Sequence, residues 1–206
     1  MRRALAAFIV SAVLLVGATP PPRVEPLECN LGGIVQLSVH SGDASWSGTG
    51  FAVAQGILTN AHVVGDSDAV ILVFPTWPVA RAFLSRPLAI DAAADLALLE
   101  LPIDLPITAL APTAYVPLGT NVRIVGFPMD VKDSPSMTRG IVSKTWDNDT
   151  GVTRVLTDAA VNPGNSGSPI LANDCTALGI VNARVLGSYG MGLGIGADTL
   201  HAFLER

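Results

Sequence analysis

Thr157-Asp158-Ala159-Ala160-Val161-Asn162-Pro163-Gly164-Asn165-Ser166-Gly167-Ser168-Pro169 is the most informative stretch of this 206-residue chain. It holds one serine, Ser166, between two glycines. Gly164 and Gly167 can adopt backbone angles that side chains resist, so a tight turn can present the Ser166 hydroxyl outward. The same turn, Gly164-Asn165-Ser166, can aim backbone N–H groups at one point as an oxyanion hole. The natural donors are the N–H groups of Gly164 and Ser166. A Gly/Ser loop alone is commonplace, so the reading depends on partners elsewhere in the chain.

A serine hydroxyl is a weak nucleophile and needs a base within hydrogen-bond reach. The chain has three histidines. His62, in Leu58-Thr59-Asn60-Ala61-His62-Val63-Val64, closes an apolar strand that can hold an imidazole rigidly. His40 reads as a strand-surface residue and His201 as a residue on the face of a terminal helix. A base needs an acceptor on its other ring nitrogen. Asp95, heading Asp95-Leu96-Ala97-Leu98-Leu99, is the candidate, placed where it can be buried and paired. Asp91 is a rival that spacing does not exclude. Asp158 reads as a brace for the serine loop.

Around these residues the chain is a series of short apolar or alternating runs broken by Gly, Pro, Asn and Asp. They lie at 34–39, 50–53, 69–74, 96–101, 122–127, 152–157 and 178–181. This rhythm points to an all-β sandwich or barrel. Helical periodicity is confined to 198–206, where Asp198 or Thr199 can cap a short helix burying Leu200, Phe203 and Leu204. Pro102, Pro106, Pro112 and Pro117 mark a crossover, since proline rarely sits in a central strand. The crossover separates β lobes at about 30–105 and 118–196 within one domain, 29–206.

The first 18 residues have the form of a cleavable export signal. Arg2 and Arg3 precede an apolar run, 4–16, and Val16-Gly17-Ala18 fits a small-residue cleavage site. Residues 19–28, opening Thr19-Pro20-Pro21-Pro22, read as an extended linker. Export implies a periplasmic or secreted location with no stable membrane insertion. Removal of the signal leaves 10 basic against 17 acidic residues, a net of −7, which argues against nucleic acid as a partner. An oxidising compartment permits a disulfide between Cys29 and Cys175; two free buried thiols are the other reading. No zinc-ligand spacing occurs, and no metal or cofactor is expected. Gly192-Leu193-Gly194-Ile195-Gly196 has the wrong spacing for a nucleotide loop and reads as a strand.

Gly48-Thr49-Gly50-Phe51, the His62 segment, the Asp95 segment and the 157–169 loop occur in that order. Together they resemble the chymotrypsin-fold serine peptidases, most of all the bacterial branch holding the HtrA (Do-like) proteases and the secreted glutamyl endopeptidases. The order His, Asp, Ser matches that fold and neither subtilisin nor the α/β-hydrolases. The resemblance covers nearly all of 30–206. It implies two six-stranded antiparallel β-barrels with a short C-terminal helix and the site between them. It also implies a triad of Ser166 as nucleophile, His62 as base and Asp95 as its orienting carboxylate, acting on polypeptides.

Three departures qualify the resemblance. Asn165 stands where digestive trypsin-like enzymes carry an aspartate that pairs with a new N-terminus, so no activation of that kind is expected. No PDZ domain is expected within these residues. Motif alignment makes Asn182, Ala183 and Arg184 part of the strand that pairs with substrate. Ala160 and Val161 then form the near wall of the specificity pocket, and Gly192 and Gly194 the far wall. Ala160 argues against a buried acid and hence against Lys/Arg preference. The histidine and hydroxyl of glutamyl endopeptidases are absent, which leaves a small or medium apolar residue before the cut. Arg184 reads as a solvated rim charge or a contact to acidic substrate residues.

Overall fold

The computed structural model describes residues 29–74, 81–128, 134–185 and 190–206. The expected signal and linker lie outside the described residues. About half of the described residues lie in antiparallel strands, and the rest is mostly turns and loops. β1 (Ile34–Ser41), β2 (Ala44–Val53), β3 (Gly56–Thr59), β4 (Val70–Phe74), β5 (Arg81–Ser85), β6 (Pro87–Asp91) and β7 (Leu96–Leu99) form the first lobe. β8 (Asn121–Gly126), β9 (Ser136–Asp147), β10 (Thr153–Thr157), β11 (Pro169–Leu171), β12 (Ala177–Arg184) and β13 (Gly192–Gly196) form the second. The one-turn helix α1 (Ala61–Val64) follows β3, and α2 (Ala197–Leu204) follows β13.

The second lobe is a closed six-stranded barrel in the order β10-β13-β12-β11-β8-β9. The first is a curled seven-stranded sheet, β5-β4-β1-β2-β3-β7-β6, rather than the six-stranded barrel expected. The reason is local. β5 and β6, at opposite ends of that order, are separated by Arg86 alone. They are one strand broken at a single residue, and the ring closes through the chain itself. Arg86 keeps a hydrogen bond across the break, its carbonyl accepting from the Glu100 N–H at 2.9 Å. The Ser85 hydroxyl donates to the Glu100 carbonyl at 2.8 Å.

Period-two patterning explains the strands. β4 and β10 bury every second residue, so one face packs inward and the other meets its surroundings. Each lobe has its own core, around Leu37, Ile57 and Leu72 in the first and Ile124, Val155 and Ile170 in the second. A third cluster joins them: Phe51, Leu58 and Leu96 from the first lobe meet Val125, Phe127 and Ile180 from the second, with Leu200 and Phe203 of α2. Fully burying each such side chain contributes about 1.5–3 kcal/mol, so the lobes are held face to face by their own apolar surfaces.

The expected cap of the last helix does not hold. Gly196 is the N-cap, without a side-chain hydrogen bond. Asp198 accepts instead from the Ala114 N–H at 2.8 Å and the Thr113 hydroxyl at 3.2 Å. The Thr199 hydroxyl accepts from the Thr153 N–H at 2.9 Å. Both side chains tie the helix to the second lobe and the crossover. Leu200 and Phe203 are buried as expected. Cys29 and Cys175 form a disulfide with Cα atoms 5.5 Å apart. Among the described residues, no helix is long and apolar enough to cross a membrane.

Candidate active site

His62 is presented by α1, a single turn that follows β3 and packs against β7. The indole N–H of Trp46 donates to the Val63 carbonyl at 2.8 Å, and Gly65 ends the turn at φ +60° against the same ring. Asp95 comes from the turn between β6 and β7 and holds φ +58°, a left-handed conformation that aspartate tolerates better than most residues. Asp91, the sequence rival, shapes that turn instead. Its carboxylate accepts from the N–H groups of Ala93 and Ala94 at 3.0 and 2.9 Å and from Arg206 at 2.7 Å. The Ala94 bond, with help from Arg206, holds the Asp91 carboxyl below its ordinary range despite partial burial.

The two oxygens of Asp95 receive three donors. Oδ1 accepts from the His62 backbone N–H at 2.8 Å. Oδ2 lies 2.7 Å from His62 Nδ1 and also accepts from the Asn182 side-chain amide. The Asp95 carbonyl accepts from the amide of Asn60, which is fully buried, at 3.0 Å. With its carboxylate partner on Nδ1, the imidazole carries its proton there and leaves Nε2 as a lone-pair acceptor.

Asn182 and Arg154 are the contributions that motif reading missed. Asn182 is expected in the substrate strand for its backbone, yet its side chain reaches Asp95. Its amide oxygen in turn faces Arg154 Nη1 at 3.4 Å. Neither contact has a local signature, because both cross between elements far apart in sequence.

Ser166 sits in the turn after β10, half-buried. Its carbonyl accepts from the Thr49 N–H at 2.8 Å, and the Gly164 carbonyl accepts from the Thr49 hydroxyl at 2.8 Å. Gly164 and Gly167 have φ +94° and +86°. A side chain at Gly167 would place its Cβ 1.9 Å from the Thr49 carbonyl oxygen, so only glycine fits that approach. The Asn165 N–H is spent inside the turn on the Asn162 carbonyl at 3.0 Å. The N–H groups of Gly164 and Ser166 donate to no acceptor among the described residues. The Ser166 hydroxyl faces the Asn182 carbonyl at 3.5 Å and makes no hydrogen bond to His62.

The two stretches expected to form the pocket walls lie close together. A Cβ at Gly192 would lie 2.4 Å from a Val161 methyl, so Val161 packs directly on the opposite backbone. Gly194 faces Ile170 and Ile180 inside the barrel rather than Val161. Ala160 is exposed, and its carbonyl accepts from the Thr138 hydroxyl at 2.9 Å. Ala183 and Arg184 are exposed at the end of β12. Asp158 fastens the start of the serine loop to β9, accepting from the Ile141 N–H at 2.7 Å. The other histidines lie elsewhere: His40 is exposed beside Ser38, and His201 Nε2 lies 2.8 Å from the Ala111 carbonyl.

A DegP-like probable periplasmic serine endoprotease of Pseudomonas putida is 34% identical over 74% of this chain and 32% of its own length. The mitochondrial serine protease HTRA2 of Bos taurus is 33% identical over 78% of this chain and 36% of its own. The chain thus spans about a third of the length of the curated relatives it matches. The structure of the HtrA-type protease AlgW with tripeptide superposes with a TM-score of 0.74 and 27% identity, over 84% of this chain and 59% of that one. The family profile described as trypsin-like peptidase domain matches residues 48–180. That span holds Thr49, His62, Asp95 and Ser166 and most strands of both lobes, and the chain belongs to the trypsin-like peptidase domain family, with HtrA proteases among its relatives.

Proposed function

We propose that this protein is an exported serine endopeptidase that cleaves polypeptides through an acyl-enzyme. The observation that carries the reading is the Asp95 carboxylate gripping His62 at both its backbone N–H and Nδ1, beside a serine turn pinned to the same lobe by Thr49. Ser166 Oγ attacks the scissile carbonyl and its proton passes to His62 Nε2. The oxyanion is received by the free N–H groups of Gly164 and Ser166. His62 then gives the proton to the leaving amine, and water repeats the sequence on the acyl-enzyme. Asp95 keeps the proton on Nδ1 beforehand and stabilises the imidazolium afterwards. The apolar segment behind Arg2 and Arg3, and relatives named as periplasmic, support export.

A second reading has one observation in its favour. The Ser166 hydroxyl rests on the Asn182 carbonyl rather than on His62, as it would in a non-catalytic module that binds extended peptides along β12. Labelling at about pH 8 with a serine-directed phosphonate separates the two. The peptidase gains one adduct on Ser166, and Ser166→Ala gains none. Absence of the adduct in the native chain leaves the binding module.

The contact between Val161 and Gly192 supports a shallow pocket. Cleavage is expected to be fastest after small or medium apolar residues. A peptide panel varied at the residue before the cut tests this, and preference for Lys, Arg or Glu there would refute it.

A further inference from the structure

We infer that Thr49 is a positioning residue that holds the oxyanion turn from the opposite lobe, an inference that rests on the catalytic reading of Ser166. Thr49 lies in β2 of the first lobe and is fully buried. All its polar atoms are engaged, and mostly with the second lobe. Its N–H donates to the Ser166 carbonyl at 2.8 Å. Its hydroxyl donates to the Gly164 carbonyl at 2.8 Å and accepts from the Phe127 N–H at 3.1 Å. Its own carbonyl accepts from the Thr59 hydroxyl at 2.8 Å.

The consequence lies in the planarity of the peptide unit. The plane between Gly164 and Asn165 is gripped at both ends: its carbonyl by the Thr49 hydroxyl, its N–H by the Asn162 carbonyl at 3.0 Å. A carbonyl and its N–H point opposite ways in a rigid plane, so the two bonds together fix its tilt. The two candidate oxyanion donors flank it, the Gly164 N–H in the plane before and the Ser166 N–H in the plane after. Gly164, at φ +94°, is the joint between the first pair of planes. Glycine rotates there with little resistance, and the turn's own bonds, from the Asn165 N–H to the Asn162 carbonyl and from the Ser168 N–H to the Asn165 carbonyl at 2.9 Å, leave the Gly164 carbonyl end without a stop. The Thr49 hydroxyl supplies that stop. It has one hydrogen to give, and gives it to Gly164. The Phe127 N–H, just beyond β8, orients that hydroxyl from the second lobe. The turn is therefore set by both lobes through one oxygen atom.

The test compares Thr49→Val, which keeps the shape and removes the hydroxyl, with Thr49→Ser, which keeps the hydroxyl. Rates are counted per phosphonate-titrated site, so loss of folded protein does not enter. For an amide substrate, Thr49→Val is expected to lower kcat by about 10- to 100-fold, less than losing an oxyanion donor outright, with little change in KM. Affinity for a peptide aldehyde, whose hemiacetal oxygen needs the same donors, should fall in parallel. Thr49→Ser should recover both. Unchanged kcat and aldehyde affinity in Thr49→Val would overturn the inference, and so would an equal loss of affinity for a non-covalent product peptide. If Thr49→Val does not fold, Thr49→Ala is read the same way. Failure of both to fold while Thr49→Ser behaves as wild type makes the hydroxyl architectural and also overturns it. An absent adduct in the native chain sinks the catalytic reading; a present adduct with an unaffected Thr49→Val sinks only this one.

Discussion

Asp95→Asn is expected to lower kcat by about 10⁴-fold while the fold survives. The reason is a count of donors and acceptors. Three donors converge on Asp95: the His62 N–H, His62 Nδ1–H and the Asn182 amide. A carboxylate answers them with two acceptor oxygens. An asparagine offers one oxygen and one NH₂, so either orientation of its amide sets donor against donor. With its oxygen toward the His62 backbone, its NH₂ faces both Nδ1 and Asn182. The imidazole relieves the conflict by moving its proton to Nε2, and a protonated Nε2 cannot accept from Ser166. Substrate binding does not use Asp95, so KM should change little. Steady-state kinetics on a purified variant with an unchanged far-ultraviolet spectrum reads this directly. A loss of tenfold or less would mean that Asp95 does not set the tautomer.

The other large effect is on stability. Replacing Cys29 and Cys175 together with alanine should cost on the order of 2–5 kcal/mol, because the bond closes a loop of 146 residues and long loops lose the most chain entropy when cross-linked. At about 2–4 °C per kcal/mol for a chain of this size, the melting temperature should fall by roughly 5–20 °C. The partner residues allow a finer check. Cys175 holds φ +70°, a left-handed conformation that costs an alanine about 1–2 kcal/mol and glycine far less. The pair Cys29→Ala with Cys175→Gly should therefore melt above the double alanine variant. Equal melting of the double alanine variant and the native protein would show that the bond adds nothing.

What could be read without coordinates was whatever is local. Ser166, His62 and Asp95 each stand in a short run whose glycines, apolar neighbours or strand-leading position single them out as candidates. β9 is the opposite case. It is the longest strand among the described residues, yet Arg139 and Lys144 interrupt its apolar residues and only Val142 is buried, so no apolar run announces it. β5 and β6 escape notice for a similar reason, being largely exposed along their length. Thr49 and Asn182 do their work across separations of 115 and 87 residues, where no spacing rule applies. Asp198 and Thr199 have helix-capping chemistry, but tertiary donors at Ala114 and Thr153 claim their oxygens. A local preference yields when a buried N–H elsewhere has no other acceptor.

His62 and Asp95 stand on the first lobe and Ser166 on the second, with the two joined through Thr49 and a shared apolar seam. A ribosome therefore finishes the base and its carboxylate long before the nucleophile exists. On the catalytic reading, no fragment of a growing chain can cut, and neither lobe can cut by itself. On that reading hydrolysis needs both lobes docked along their shared seam, so activity arrives only with the second of them.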